Sequence, residues 1–422
     1  MDSIIIRGGR RLAGEIDVQG SKNSTLPILA ATVLVNGISV IHNCPYLTDV
    51  DAAIEILRHL GCKVKRENHT VTVDSTHISC SEIPDRLMRE MRSSIVFLGS
   101  VLGRTGQATL SSPGGCEIGL RPIDLHLSSL KKLGFCVEET AGKIFCKKEK
   151  NRTEGIISLS FPSVGATENI ILASAFGKGR TVILNGAREP EISDLAAFLN
   201  SAGCSVEVGA QGTIVIEGVS RISDTEHTVI SDRIVALTYL CAAGAAGGEI
   251  LLKNVRPYDF YSVLPVFETA GCYIRTDKNS VLIRMNQRPK ALRDIRTMPY
   301  PGFPTDAQAP VMAMACLGEG TSVIVENIFE SRFKHVGELK KMGAKINVEG
   351  RVAVIDGVSE LYGAAVDSPD LRGGSALVVA GLCAKGMTTV GCVSHIDRGY
   401  EKIEECLKSV GADIKRQTGQ LK

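Results

Sequence analysis

The segment SSPGGCEIGLRPIDLH at 111–126 concentrates reactive groups in a short space. Pro113, Gly114 and Gly115 form a turn signal, where the backbone can bend or take a positive φ. Cys116 follows directly, in a setting where a loop could hold its thiol in the open. Arg121 comes five residues later, a fixed cation able to bind phosphate or carboxylate through paired donors. A thiol flanked by glycine and close to an arginine is a candidate proton donor or nucleophile beside an anion site. The competing reading is that of a small buried hydrophobe, the usual fate of a free cysteine in a chain with 13 of them. The turn and the arginine set Cys116 apart from the rest.

Other chemistry-bearing residues fall in two recurring loop classes. One precedes apolar stretches: SKN at 21–23, MRSS at 91–94, GATEN at 165–169, SDR at 231–233, TDAQ at 305–308 and DLRGG at 370–374. The other follows short β-rich runs: SPGGC at 112–116, AREPE at 187–191, FESRF at 329–333 and HIDRGY at 395–400. Lys22, Arg92, Arg121, Arg332, Arg372 and Arg398 lie in or beside these loops and suit a small polyanion bound in a cleft between two domains. Helix N-termini at the same loops would add backbone donors. Asp306 stands at an expected helix start, where it can cap the helix or take a proton from a substrate hydroxyl. GxxxxGK[ST] and GxSxG are absent, and GxGxxG does not occur at a strand-to-helix turn. A nucleotide fold of the P-loop or dinucleotide kind and a serine hydrolase are therefore not expected.

The elements that position these groups repeat. EILRHLGCKV, SSLKKLGFCV, AFLNSAGCSV, PVFETAGCYI, ELKKMGAKI and ECLKSVGADI share one pattern, an amphipathic stretch ending in glycine before a β-rich run. The glycines are Gly61, Gly134, Gly203, Gly271, Gly343 and Gly411, spaced 68 to 73 residues apart. Each sits where a helix C-cap belongs. In register with them run apolar stretches rich in Ala, Leu, Val and Gly, which read as helices buried on most faces. Each unit of about 70 residues thus reads strand, buried helix, strand, exposed helix, strand, strand. Three units per half imply two similar domains, with Gln19–Gly20 and Glu226–Ser231 as candidate crossings between them.

A chain of 422 residues exceeds one ordinary core, in agreement with two domains. The net charge of +2 and the lack of a basic block argue against a nucleic-acid partner. No apolar run approaches a membrane span, and the N-terminus does not read as a signal peptide. The scattered cysteines contain no CxxC pair and the histidines no metal spacing, so reduced thiols, no metal and a cytoplasmic setting are expected.

Eight segments in order then carry a resemblance: GSKNSTLP around Lys22, PGGCEIGLRPIDLH, SVGATEN, AREPEI, FPTDAQA, FESRFKHVGEL, DLRGGSALVVAGL and HIDRGYEKIEE. Across nearly its whole length the chain resembles the UDP-N-acetylglucosamine enolpyruvyl transferase family. The resemblance implies an α/β fold of two inside-out α/β barrel domains, each of three βαβαββ repeats. It places the first domain at 21–230 and the second at 1–20 with 231–422. It implies transfer of enolpyruvyl from phosphoenolpyruvate to the 3-hydroxyl of UDP-N-acetylglucosamine, with phosphate released through a tetrahedral adduct, as the first committed step toward peptidoglycan. No cofactor is implied. Cys116 resembles the family's catalytic thiol, the proton donor to phosphoenolpyruvate and the residue alkylated by fosfomycin. Asp306 matches the group at the sugar hydroxyl. Lys22, Arg121 and Arg398 match cations around phosphoenolpyruvate, with Arg92, Arg332 and Arg372 lining the same cleft. Asn23 and Ile328 match sugar-nucleotide contacts. Arg121, Pro122, Asp124 and Leu125 resemble the uridine site, and Ser163, Val164 and Gly165 the diphosphate loop. Glu189, Glu191, Asp232, Glu330 and Asp370 match acidic positions of the cleft. The family's lysine motif usually reads GAKNAALP; here Ser24 and Thr25 replace small apolar residues, and Ser112 replaces the leucine before PGGC. The nearest alternative is an enolpyruvyl transferase acting on 3-phosphoshikimate, against which the thiol loop and the NxxLP run after Lys22 argue. A non-catalytic binding homologue would lack part of the set Lys22, Cys116, Asp306 and Arg398, and all four are present.

Overall fold

The computed structural model describes residues 2–111, 123–149 and 155–419. Cys116, Arg121 and Pro122 lie outside the described residues. The chain forms two compact units, one from Gly20 to Ile230 and the other from the residues up to Gln19 together with Ser231 onward. Among the described residues there are six four-stranded sheets with one shared strand order. In the sheet of Glu82–Ile83, Gln107–Ser111, Phe135–Thr140 and Lys143–Lys148, the first two strands pair in parallel. Gln107–Ser111 then pairs antiparallel with Lys143–Lys148, which forms a hairpin with Phe135–Thr140. This is the strand, helix, strand, helix, strand, strand unit that the repeat predicts.

The helix after each first strand is the buried one. Arg233–Ala246, Thr305–Ala315 and Leu371–Cys383 pack on one another in the core of the unit that starts at Ser231. Their sequences are Ala-, Val-, Leu- and Met-rich with few charges, so they can lose water on nearly all faces. In the other unit Lys22–Ala31, Phe97–Thr105 and Val164–Ala175 take that place. The approach there is close. A Cβ on Gly99 would stand 2.5 Å from the Asn169 carbonyl oxygen, so only glycine lets those two helices meet.

The second helix of each repeat ends alike. After Thr48–His59, Asp124–Lys132, Pro190–Ser201, Leu264–Thr269, Val336–Lys341 and Ile403–Ser409 comes one cap residue and then the repeated glycine. All six glycines have φ between 82° and 104°. The left-handed turn satisfies the last carbonyls and aims the chain into the next strand.

The repeats are not contiguous in sequence, which is a difference from the linear reading. Thr225–Thr228 pairs in parallel with Ile38–His42, so the first repeat takes its leading strand from the end of its unit. Glu226 is therefore part of a strand, and the crossing lies further on, at Ile230–Ser231. Leu12–Asp17 pairs in parallel with Gly248–Lys253 and leads the fourth repeat. Ser3–Arg7 lies between Met387–Gly391 and Asp413–Gln417, antiparallel to both, and completes the sixth. Each ring of repeats is thus closed by strands distant in sequence. No helix among the described residues is long and apolar enough to cross a membrane.

Candidate active site

In the unit that includes Ser231 onward, the expected residues collect at the N-terminal ends of the three buried helices. Asp306 lies in the first turn of Thr305–Ala315. It does not cap the helix. Its Oδ1 accepts from Arg332 Nη2 at 2.6 Å and its Oδ2 from Arg372 Nη2 at 3.0 Å. Both arginine side chains are 3% exposed and the aspartate 26%, so the carboxylate is the member of the trio that a ligand can reach. Two charge-assisted bonds from opposite sides fix its orientation. Arg372 is placed in turn by Nη1, which donates to Tyr400 Oη at 3.1 Å. Tyr400 is buried, donates to Ser375 Oγ at 3.0 Å and meets Thr238 Oγ1 at 2.8 Å. Burial alone would ease a proton from Arg372, but Asp306, Tyr400 and Asp232 outweigh it and hold the guanidinium charged.

The surrounding acids mostly serve these helices. Asp232 accepts from Ile234 and Val235 N–H groups, and Asp370 from those of Arg372 and Gly373, so both are N-caps. Glu330 meets Arg351 at the surface at 3.2 Å. Arg398 ends the 3-10 turn Val393–Arg398. Its neighbour Asp397 is clamped by Arg416 Nη1 and Nη2 at 3.0 and 2.6 Å, and the Gln19 side chain bonds the Gly399 carbonyl and the Glu401 N–H.

Glu326 escaped sequence reasoning. Fully buried, it accepts from Thr297 Oγ1, Thr305 Oγ1 and the N–H groups of Ile328 and Phe329, at 2.8 to 3.0 Å. The helix start at Thr305 has no side-chain cap of its own, so Glu326 anchors it and shapes the loop of Ile328. Nothing in the local pattern marks this glutamate, because its side-chain partners lie 21 and 29 residues away along the chain.

In the unit from Gly20 to Ile230, Lys22 opens the Lys22–Ala31 helix and its Nζ meets Asp49 Oδ2 at 3.1 Å. Asn23 is half-buried beside it. Arg92 opens the 3-10 turn Arg92–Val96. Ser163 caps the Val164–Ala175 helix, so the half-buried Val164 and Gly165 form its first turn, where helix N-terminal N–H groups suit an anion. Asp124 and half-buried Leu125 begin the Asp124–Lys132 helix. Next to them His126 Nδ1 accepts from Asn169 Nδ2 at 2.8 Å, while Asn169 Oδ1 accepts from Gly99 N–H at 2.6 Å. Burial, helped by Arg92, lowers the His126 pKa to about 4, so the ring is neutral. Glu191 is buried near Glu189, and both act on Glu168, whose proton affinity burial and these two charges raise well above the ordinary. Glu168 was not singled out from sequence; its GATEN segment reads there as a loop, whereas the structure buries it inside the Val164–Ala175 helix.

The twelve described cysteines are free. Burial pushes Cys44, Cys146, Cys204, Cys272 and Cys383 up to about 12, far from a reactive thiolate. Among the described residues no group of His, Cys, Asp and Glu could hold a metal ion.

A family model described as EPSP synthase (3-phosphoshikimate 1-carboxyvinyltransferase) matches residues 6–407. UDP-N-acetylglucosamine 1-carboxyvinyltransferase 2 of Caldanaerobacter subterraneus subsp. tengcongensis is 53% identical, over 99% of this chain and 100% of that one. UDP-N-acetylglucosamine 1-carboxyvinyltransferase 1 of Symbiobacterium thermophilum is 47% identical, over 98% of this chain and 94% of that one. Among solved structures, the enolpyruvyl transferase NikO from Streptomyces tendae superposes with a TM-score of 0.89 at 24% identity, covering 99% of both chains. EPSP synthase from Acinetobacter baumannii gives 0.74 at 16% identity, covering 99% and 100%. The two structural likenesses speak for the fold, and the full-length identities speak for the closer group. The chain belongs to the enolpyruvyl transferase family, in the group of the UDP-N-acetylglucosamine 1-carboxyvinyltransferases.

Proposed function

We propose that this protein transfers the enolpyruvyl group of phosphoenolpyruvate to the 3-hydroxyl of UDP-N-acetylglucosamine and releases phosphate, the first committed step of peptidoglycan synthesis. The observation that carries this reading is the 53% identity, end to end, with a relative named for that reaction. The geometry supports it: a reachable carboxylate, Asp306, is clamped by two buried arginines at the head of a buried helix.

In the first step the sugar 3-oxygen bonds to C2 of phosphoenolpyruvate, its proton leaves, and the methylene carbon gains one. In the second step the C2–O bond to phosphate breaks and the methyl carbon gives its proton back, so the step sequence has no net redox. Cys116 supplies the proton to the methylene and is the site of fosfomycin alkylation. Asp306 holds or deprotonates the 3-hydroxyl. Lys22, Arg121 and Arg398 neutralise the phosphate and carboxylate, with Arg92, Arg332 and Arg372 extending that field. Asn23 and Ile328 contact the sugar nucleotide; Arg121, Pro122, Asp124 and Leu125 take the uridine; Ser163, Val164 and Gly165 offer helix N-terminal donors to the diphosphate. Both substrates are water-soluble, which suits a cytoplasmic enzyme.

The test is release of phosphate from phosphoenolpyruvate. Release that requires UDP-N-acetylglucosamine and stops with fosfomycin is expected. Release with 3-phosphoshikimate and none with the sugar nucleotide would replace this reading by the shikimate one.

A further inference from the structure

The Lys22–Ala31 helix opens with a cation and has no acid in its first turn. A lysine there opposes the partial positive charge of a helix N-terminus. Two buried carboxylates from neighbouring helices supply the missing negative charge. Asp49, in Thr48–His59, takes Lys22 Nζ. Asp194, in Pro190–Ser201, accepts a hydrogen bond from the hydroxyl of Ser24.

Asp194 does more than close that bond. Its Oδ2 also accepts from the Ile230 N–H at 3.2 Å, and its Oδ1 meets His227 Nε2 at 2.9 Å. With 4% of its side chain exposed, its oxygens rely on these partners in place of water. A carboxylate oxygen accepts, so Ser24 donates to it and His227 presents the N–H of Nε2. Ser24 is itself fixed from the other side, where its N–H donates to Ser21 Oγ at 3.3 Å. One carboxylate therefore joins three parts of this unit: the turn of Lys22 and Asn23, the closing strand Thr225–Thr228, and Ile230 beside the chain crossing.

We propose that Asp194 is a positioning residue for the Lys22–Asn23 turn, acting through the Ser24 hydroxyl, so that sugar-nucleotide affinity depends on a carboxylate that touches no substrate. The inference rests on the function proposed above. It assigns to Ser24 and Asp194 a single shared action on binding rather than two separate contributions to stability.

The experiment is calorimetric binding of UDP-N-acetylglucosamine, with steady-state phosphate release alongside, for Ser24→Ala, Ser24→Thr, Asp194→Asn and the Ser24→Ala/Asp194→Asn pair. Ser24→Ala weakens binding about tenfold, the size of one hydrogen bond to a charged group. Ser24→Thr keeps the hydroxyl and restores affinity to within about twofold. Asp194→Asn keeps the shape but not the charge and weakens binding by a smaller factor. The double variant is no weaker than Ser24→Ala alone, because both changes break one link. In each weakened variant KM rises more than kcat falls. Single variants with wild-type affinity, or a double variant whose loss is the product of the two, would overturn the proposal. If Asp194→Asn fails to fold, the contrast between Ser24→Ala and Ser24→Thr decides. If the wild-type protein binds no sugar nucleotide, the functional reading fails instead. Amide exchange at residues 22–25 then tests the tether: faster exchange in Ser24→Ala supports it, and unchanged exchange refutes it.

Discussion

A cysteine in this chain is ordinary until its surroundings are counted. Five of the described thiols sit near 12 because they are buried, so they present almost no thiolate at neutral pH. Fosfomycin is expected to add at Cys116 and not at these five, which mass spectrometry of the intact protein and its peptides reads directly. Cys116→Ser should abolish that adduct and cut turnover by about a hundredfold or more, since an alcohol is a far weaker acid, while UDP-N-acetylglucosamine still binds. A fully active Cys116→Ser protein would remove the thiol from the mechanism. Arg372 offers a second test. Its two ends serve different partners, Asp306 through Nη2 and Tyr400 through Nη1. Lysine keeps the charge but cannot span both. Arg372→Lys should lower kcat/KM about a hundredfold and destabilise the fold by about 1–3 kcal/mol, the usual result of leaving a buried polar group unmet. Kinetics and urea unfolding of the same preparation separate the two effects. Near-wild-type kcat/KM in Arg372→Lys would show that only its charge matters.

At the scale of elements, glycine acts through two different physical causes, and substitution distinguishes them. Gly203 follows the Pro190–Ser201 helix at φ 97° with nothing within 4 Å of an added Cβ. Gly203→Ala should cost about 1 kcal/mol, the strain of a left-handed residue alone. Gly99 has no strained φ but faces the Asn169 backbone, which cannot step aside without moving the helix that begins at Val164. Gly99→Ala should cost more, about 2–3 kcal/mol as in an overpacked core. It should also weaken UDP-N-acetylglucosamine binding, because Asn169 links Gly99 to His126 beside Asp124 and Leu125. Equal losses for the two variants would contradict the distinction. The six C-terminal glycines were legible in the sequence because a capping rule ties them to position along one helix. So were the buried helices, whose composition announces them. The partners Asp49, Asp194 and Glu326 were not legible. Each meets a side chain 21 or more residues away, and a lone acid at such a position has the same local appearance as a solvated one. The resemblance places residues 1–20 with the second domain, but the pairing of Ser3–Arg7, Leu12–Asp17 and Thr225–Thr228 was hidden for the same reason: periodicity identifies a strand but not its neighbour. Ser24 was noticed as an unusual residue, yet only the fold shows what its hydroxyl binds.

Over the whole molecule the two units should respond differently to acid. His126 in one and His335 in the other are both held near pH 4 chiefly by burial, against an ordinary value of 6.5. Asp370 favours protonation of His335 and Arg332 opposes it, but the loss of water dominates. Below pH 6.5 the unfolded chain binds protons that the folded histidines refuse. Their contribution is therefore complete above pH 6.5 and declines as pH falls toward 4, by on the order of 3 kcal/mol for each ring. Glu168 works in the opposite sense in the unit of His126. Burial and the charges of Glu191 and Glu189 raise its proton affinity, so it favours the folded state at low pH and loses that effect as pH rises. The two trends offset each other in the Gly20–Ile230 unit, whereas among the described residues of the other unit no carboxylate is held with a raised proton affinity. Between pH 6.5 and 4.5 the unit from Ser231 onward should thus lose protection first. Amide hydrogen exchange, read unit by unit at the two pH values, follows this directly. His335→Gln should flatten the loss in that unit, and Glu168→Gln should expose a steeper loss in the other. Parallel loss in both units, unchanged by either substitution, would mean that the acid response comes from surface carboxylates instead.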